Sequence, residues 1–193
     1  MSEGKTGKIF VFSAPSGAGK TTILDYLRAS IPDLVYSISA TTRKPRKGEV
    51  DGLHYFFLSE QEFKSRIESG EFAEWALVHG NYYGTPRSFI DQVISSGKHI
   101  VMDIDVFGKK QFDRIYPEAV GILILPPSME ELEKRLRNRS SDDEETIRTR
   151  LKNAVTEIEF ARSQGKYEYT IINDDLGRTK REVEELVRSL IGA

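Results

Sequence analysis

The most constraining feature of the sequence is an apolar strand that runs directly into a glycine-rich loop and then into a helix. The strand, Ile9 to Ser13, contains only apolar, β-branched and aromatic residues before its final serine. Such a run is typical of a strand buried on both faces. The loop, Ala14 to Gly19, is followed by a helical pattern from Thr21 to Ala29. This order predicts an α/β fold whose first loop lies at the carboxyl end of a core strand.

Further core strands are predicted along the chain, at His99 to Asp103, Ala119 to Leu125 and Tyr169 to Ile172. Helical patterns alternate with them, including two long helices after Pro126-Pro127, with Ser128 as a cap, and a terminal helix from Thr179 to Ile191. Strands that alternate with helices imply a mostly parallel sheet with helices on both faces.

The stretch from Val35 to Gly84 has a different character and is predicted to be a small mixed insertion. Its strand-like pieces are short and separated by turn signals; they are Val35–Ser39, Tyr55–Leu58, Trp75–Val78 and Asn81–Tyr83. Ser59 and Glu62 form a capping-box pattern for a helix that ends near Ser69. A further helix is expected from Arg87 to Ser96.

Composition excludes several classes of protein. A chain of 193 residues, 38% of them hydrophobic, suits one domain with a buried core. The absence of cysteine excludes disulfides, thiolate metal sites and a cysteine nucleophile. The 28 basic and 30 acidic side chains argue against general nucleic-acid binding. With no long apolar run and no signal-peptide core at the N-terminus, we expect a cytoplasmic protein without a membrane partner. The oligomeric state stays open.

The glycine-rich loop has the composition of a phosphate-binding loop. Its residues are Ala14, Pro15, Ser16, Gly17, Ala18, Gly19, Lys20 and Thr21, with Thr22 next to them. Backbone N–H groups freed by the glycines, and the helix N-terminus, favour an anion. Lys20 can reach the β- and γ-phosphates of a nucleoside triphosphate, and the Thr21 hydroxyl can ligate Mg²⁺. Asp103 ends a buried strand, where a carboxylate that holds Mg²⁺ through water is expected, and Asp105 lies two residues further on.

Two arginines in the insertion indicate a second phosphate site. Arg43 and Arg46 lie three residues apart around Pro45, and guanidinium groups bind phosphate through two hydrogen bonds. Tyr55 and Tyr83 can each donate a hydroxyl to the same phosphate. Taken alone, the basic stretch is equally consistent with a solvated loop, and each tyrosine with an edge aromatic.

Taken together, these pieces make the chain similar to the guanylate kinases. The matching segments keep the family's order from about residue 9 to 176; they read SAPSGAGKTT, SATTRKPRKGEVDGLHYFF, GEFAEWALVHGNYYGTP, MDIDVFG, RLRNR, EETIRTRL and INDD. The resemblance implies a P-loop nucleoside monophosphate kinase fold with a mostly parallel five-stranded sheet. It also implies a GMP-binding insertion at about 35–86, a helical lid at about 128–159, and a core at about 1–34, 87–127 and 160–193.

The resemblance also assigns substrate contacts. Guanine contacts fall on Ser39, Glu74 and Thr85 with Asp105 nearby, and GMP-phosphate contacts on Arg43, Arg46, Tyr55 and Tyr83, with Asp103 in the same site. A carboxylate at Glu74 can accept from both N1–H and N2–H of guanine, and the Thr85 hydroxyl can donate to O6. Adenine would leave such groups unpaired. By itself Glu74 indicates only a solvated carboxylate.

In the lid, the family's arginines that close over the transferring phosphate fall on Arg135, Arg139 and Arg150, while Asn173 falls against the adenine of ATP. Arg137 and Arg148 are equally consistent with surface ion pairs. Three positions depart from the family pattern: Ala14 for the first loop glycine, Phe107 for a glutamine, and Ser140-Ser141 for a Gly-Thr pair.

The main hypothesis is therefore an ATP:GMP phosphotransferase of purine nucleotide metabolism, which uses MgATP and accepts GMP and dGMP. One alternative is a catalytically silent binding module of the same fold, although Lys20, Thr21 and the lid arginines are present. Another is a P-loop kinase with a different acceptor, against which Glu74 and Thr85 argue.

Overall fold

A computed structural model describes residues 6–78, 80–138 and 143–192. Its strands are β1 Ile9–Ser13, β2 Leu34–Tyr36, β3 Ala40–Thr41, β4 Phe56–Phe57, β5 Phe72–Val78, β6 Asn81–Pro86, β7 His99–Asp103, β8 Val120–Leu125 and β9 Tyr169–Ile172. Its helices are α1 Lys20–Ser30, α2 Glu60–Glu68, α3 Arg87–Ser95, α4 Val106–Phe112, α5 Met129–Arg137, α6 Glu144–Gln164 and α7 Leu176–Gly192.

The larger sheet has five strands in the order β2-β7-β1-β8-β9, and all of its pairs are parallel. This confirms the predicted five-stranded parallel sheet. β1 lies at its centre, and Phe10 and Phe12 on it are fully buried. Complete burial of one such side chain contributes about 1.5–3 kcal/mol. One core cluster joins β1 to α1 and α7, and a second joins its other face to α3 and α4. Helices therefore cover both faces, as the alternating pattern predicted.

The smaller sheet has four strands in the order β4-β3-β6-β5, with one parallel and two antiparallel pairs. Phe63 of α2 stacks on Phe72 and Tyr82 of this sheet. The Ser59 hydroxyl accepts from the Glu62 amide and begins α2, so the predicted cap is present.

Three local expectations need correction. The strand predicted from Val35 to Ser39 was assigned to the insertion, but it ends at Tyr36 and pairs with β7 in the larger sheet. β5 begins three residues before the predicted Trp75, with an irregularity between Phe72 and Glu74. The sequence analysis placed no helix at α4, which begins because the Asp105 carboxylate accepts from two amides of its first turn.

The carboxyl ends of β1 and β7 lie side by side, with Phe12 opposite Asp103. The loop before α1 and the loop before α4 therefore open on the same edge of the sheet, where ligands of parallel α/β proteins bind. Within the described ranges, no helix is both long and apolar enough to span a bilayer.

Candidate nucleotide-binding and catalytic site

The loop between β1 and α1 adopts the backbone that its glycines predict. Gly17 and Gly19 have φ values of 92° and 94°, in the left-handed region that disfavours side chains. A Cβ on Gly19 would lie 2.5 Å from Nδ2 of Asn173, so this position has no room for one. The Ala18 amide is used inside the loop, where it donates to the Pro15 carbonyl at 3.1 Å. Ala14 is buried in the core, which explains why a small apolar residue serves at the first motif position.

Lys20 is the first residue of α1, and its ammonium group is paired with the Asp103 carboxylate. Thr21 and Thr22 follow it and are exposed at the mouth of the loop. The structure thus brings together the lysine, the hydroxyl group and the strand-end carboxylate that the sequence analysis selected. Because a lysine ammonium is a compact, mobile charge, Lys20 can exchange Asp103 for phosphate oxygens.

The side chain of Asn173, for which the family resemblance predicts a contact with the adenine of ATP, is hydrogen-bonded to the phosphate loop. It is 2% exposed, and its Nδ2 donates to the Ala18 carbonyl at 2.8 Å. Its Oδ1 is buried without a protein hydrogen-bond partner. Asn173 also borders a depression of about 380 Å³ beside the loop; the other lining residues are Gly17, Gly19, Arg135, Asp174, Asp175 and Leu176.

A second cavity of about 310 Å³ lies between the two sheets. It is lined by Tyr36, Ser37, Ser39, His54, Tyr55, Glu74, Ala76, Val78, Tyr83, Gly84, Asp103, Ile104 and Asp105. Six of these are residues that the sequence analysis selected as acceptor contacts: Ser39, Tyr55, Glu74, Tyr83, Asp103 and Asp105. Asp103, the partner of Lys20, lies on its wall, so the cavity adjoins the phosphate loop.

Glu74 and Thr85 form one end of this region. The Thr85 hydroxyl donates to Oε1 of Glu74 at 2.6 Å, across the β5–β6 pair. Burial raises the pKa of Glu74 to about 7, with the hydrogen bond from Thr85 opposing the shift and the charge of Asp105 adding to it. A hydroxyl has one proton, so Thr85 cannot donate to Glu74 and to a ligand carbonyl at the same time. In this structure Thr85 orients Glu74.

Arg43, Tyr55 and Tyr83 form the other end. The guanidinium of Arg43 is held in a bidentate pair with Glu49, at 2.9 and 2.8 Å. It lies 5.4 Å from the centroid of the Tyr55 ring, and the rings of Tyr55 and Tyr83 meet edge to face. Contacts with Glu49 and Tyr83 raise the pKa of Arg43 above its usual range, and Arg43 lowers the pKa of Glu49 to about 2. Arg46, by contrast, is exposed.

The sequence analysis missed Glu49, although it lies six residues after Arg43 on the far side of the Lys47-Gly48 turn. Its carboxylate also accepts from the Arg46 amide at 2.6 Å, which ties the two ends of the loop together. The sequence signal that could have indicated Glu49 is a carboxylate at the end of a turn that carries two arginines. Glu49 fixes the direction of one of the guanidinium groups.

The lid arginines differ in their surroundings. Arg135 on α5 donates to the Asn173 carbonyl at 2.9 Å and to Glu131 at 3.2 Å, and it lines the depression beside the phosphate loop. Arg137 is paired with Glu133 and Glu144, and Arg148 with Glu144, which confirms the surface ion pairs weighed for these two. Arg150 is half-buried on α6. The predicted Arg139 and the Ser140-Ser141 departure lie outside the described residues.

Glu157 on α6 is a further carboxylate that the sequence analysis did not select. Burial and the charge of Asp105 raise its pKa, while Lys20 and the backbone amide of Ser16 oppose that shift. α6 therefore brings a carboxyl group close to the phosphate loop. No motif spacing marks Glu157, because its neighbours come from a loop about 140 residues away in sequence.

The donor atoms at the loop suit a hard cation bound together with a phosphate ligand. The Thr21 hydroxyl and the Asp103 carboxylate are oxygen donors, which Mg²⁺ prefers. Among the residues that the structure describes, no group of three or more carboxylate, imidazole or thiolate side chains forms a closed metal site.

Comparison with known proteins gives one consistent result. The family model described as guanylate kinase matches residues 6–190. The guanylate kinase of Myxococcus xanthus (strain DK1622) is 48% identical over 181 residues, which cover 94% of this chain and 86% of that protein. A guanylate kinase of Helicobacter pylori (strain 26695) is 44% identical over 183 residues, covering 95% and 87%. The crystal structure of guanylate kinase from Anaplasma phagocytophilum aligns with a TM-score of 0.69 at 33% identity, covering 96% of this chain and 86% of that one.

Proposed function

The chain belongs to the guanylate kinase family and transfers the γ-phosphate of ATP to GMP, giving ADP and GDP, and from this premise we propose a role for each cavity. ATP binds at the phosphate loop, with its base in the depression beside Asn173 and Arg135. GMP binds in the cavity between the two sheets. The observation that carries this proposal is that one cavity is lined by the buried carboxylate of Glu74 and by Tyr55 and Tyr83, with the guanidinium of Arg43 beside the Tyr55 ring.

On the donor side, Lys20 leaves Asp103 and binds the β- and γ-phosphates, aided by the backbone amides of the loop. Mg²⁺ would be held by the Thr21 hydroxyl and, through water, by Asp103, and it would neutralise charge on the phosphate oxygens. Asn173 fixes the loop through the Ala18 carbonyl and lines the depression proposed for the adenine.

On the acceptor side, Glu74 accepts hydrogen bonds from N1–H and N2–H of guanine, while Thr85 keeps the carboxylate in place. The Ser39 hydroxyl, which lines the same cavity, donates to O6. Arg43, aimed by Glu49, binds the GMP phosphate with Tyr55 and Tyr83, and Arg46 adds positive charge from the rim. The same contacts accept dGMP, because none of them involves the ribose 2′-hydroxyl.

Catalysis consists of positioning and charge stabilisation. Phosphoryl transfer passes through a loose transition state whose charge is spread over the equatorial oxygens, and cations placed around it lower the barrier. We assign this role to Lys20, Arg43 and the lid residues Arg135, Arg139 and Arg150. A phosphate oxygen of GMP is the nucleophile, so no further general base is required. Closure of the lid excludes water and limits ATP hydrolysis. The cytoplasmic location stays a prediction.

The experiment that tests the assignment of the donor site is steady-state ADP release with MgATP and GMP in the Lys20→Ala variant. The variant should lose about 10²- to 10³-fold in kcat, because one preorganised contact to the developing charge contributes that much. The matched control is Lys64→Ala, which removes an exposed lysine paired with Glu60 on α2. Turnover retained by Lys20→Ala, or lost equally by Lys64→Ala, would contradict the assignment.

A further inference from the structure

Outside the residues assigned so far, the first turn of α4 lies against the carboxylate of Glu74. Gly108 is buried in that turn, and its amide donates to Oδ1 of Asp105 at 2.7 Å. A Cβ built on Gly108 would lie 2.9 Å from Oε2 of Glu74 and 2.8 Å from Cγ2 of Ile104. Separations below 3.0 Å are shorter than carbon and oxygen atoms tolerate without moving. The carboxylate of Glu74 therefore occupies space that exists only because residue 108 has no side chain.

A second contact holds the same strand against α4. The side-chain amide of Gln111 donates to the Trp75 carbonyl at 3.2 Å, and its oxygen faces the Trp75 amide at 3.5 Å. Trp75 directly follows Glu74 on β5, and its outward backbone edge has no neighbouring strand in the four-stranded sheet. Gln111 thus fixes the backbone of β5, while Gly108 leaves the site into which its carboxylate fits.

We propose that Gly108 and Gln111 of α4 are positioning residues that set selectivity for guanine by holding the Glu74 carboxylate in the acceptor cavity. The inference rests on the proposed base contact of Glu74. Of the two clashes that a methyl group at residue 108 would make, the one with Glu74 is relieved by rotating a flexible side chain. The clash with Cγ2 of the buried Ile104 is relieved only by a small shift of that residue or of α4, so some loss of stability is expected together with the displacement of the carboxylate. Alanine is also a better helix former than glycine, so α4 itself is not weakened.

The test compares kcat/KM for GMP and for IMP, which lacks the 2-amino group, in the wild type and Gly108→Ala. The GMP/IMP ratio should fall at least tenfold, mainly through a higher KM for GMP, while the KM for ATP stays near its wild-type value. The matched control is Gly192→Ala on α7, where a Cβ would meet no atom within 4 Å. A merely structural role would lower kcat for both acceptors alike and leave the ratio unchanged.

A double-mutant cycle with Glu74→Gln distinguishes failure of this inference from failure of the proposed function. If Glu74→Gln brings the GMP/IMP ratio close to one, Gly108→Ala should change the ratio no further in that background. If Glu74→Gln brings the GMP/IMP ratio close to one but Gly108→Ala alone leaves the ratio within twofold of wild type, this inference is wrong and the proposed contact of Glu74 with guanine stands. If Glu74→Gln itself leaves the ratio unchanged, both are wrong. Should Gly108→Ala fail to fold, Gln111→Ala decides: an unchanged ratio in that variant refutes the proposal.

Discussion

Replacing Glu74 by glutamine should lower kcat/KM for GMP and raise the stability of the folded protein. The glutamine keeps the shape of the side chain but replaces one acceptor oxygen by an NH₂ group. That NH₂ group would face a guanine N–H donor, and neither of the two donors would then have an acceptor. Each buried group left unpaired costs about 1–3 kcal/mol. Two such losses predict a fall in kcat/KM for GMP of roughly 30-fold to 10⁴-fold. The KM for ATP should stay within about twofold, because Glu74 is hydrogen-bonded to Thr85 rather than to the loop residues that would bind ATP.

The same substitution should stabilise the free protein above neutral pH. Burial holds the pKa of Glu74 at about 7, against 4.5 for an ordinary glutamate. The folded state therefore binds more protons than the unfolded state between pH 4.5 and 7, and stability falls as the pH rises through this window. At 1.36 kcal/mol per pH unit, ionising Glu74 in the folded state costs up to about 3 kcal/mol. Glutamine avoids this cost, which predicts a thermal midpoint about 2–12 °C higher at pH 8.

The assay follows thermal unfolding of wild type and Glu74→Gln from pH 5 to 8, together with initial rates for GMP. The stability gain should be small at pH 5, grow as the pH rises to 7, and be complete near pH 8. Wild-type binding of GMP should also weaken below pH 7, since the protonated carboxylic acid cannot accept from both guanine donors. The phosphate of GMP titrates near pH 6, and the Glu74→Gln variant retains that titration alone, so it serves as the control. A variant that is less stable at pH 8, or that keeps GMP turnover within threefold, would refute the reasoning.

Two further predictions concern residues that support the substrate contacts. Glu49→Gln should raise the KM for GMP several-fold, because it releases Arg43. Since the pKa of Glu49 is lowered to about 2, the variant should also be less stable than wild type above pH 4.5, and the difference should vanish as the pH falls toward 2. Equal acid unfolding curves of the two proteins would contradict this. Asn173→Ala should raise the KM for ATP and lower the free energy of unfolding, measured in urea, by about 1–3 kcal/mol, because the buried Ala18 carbonyl loses its donor. The control is Asn153→Ala, which changes an exposed residue of α6. An equal effect of both variants would contradict the role of Asn173 in supporting the loop.

Much of the fold could be predicted from local patterns. The strands Ile9–Ser13, His99–Asp103 and Tyr169–Ile172 have the bounds that the sequence indicated, because buried parallel strands are continuous apolar runs. The short α4 was missed, since seven residues that include a glycine and two lysines carry no clear helical period. The sheet to which Val35 and Tyr36 belong depends on pairing with β7, which is a long-range contact.

The site divides in the same way. Gly17, Gly19 and Lys20 could be selected from the sequence because their chemistry depends on neighbours in the chain. Glu74 could not be distinguished from a solvated glutamate without the family resemblance, because its burial arises from α4 and β6, more than ten residues away. For Asn173, the hydrogen bond to the Ala18 carbonyl could not be predicted, because it joins residues 155 apart in sequence. Glu49 and Glu157 likewise acquire their roles only through tertiary neighbours.

The most direct measurement is ADP release from MgATP by the wild type with GMP, dGMP, AMP, CMP, UMP and dTMP as acceptors. If Glu74 binds the N1–H and N2–H groups of guanine, we expect turnover with GMP and dGMP. For the other four nucleotides, kcat/KM should be at least 10³-fold lower. Comparable turnover with AMP or a pyrimidine nucleotide would contradict the assignment of the acceptor cavity. Binding of GMP by the folded protein without any ADP release would contradict the phosphotransferase itself and indicate a binding module.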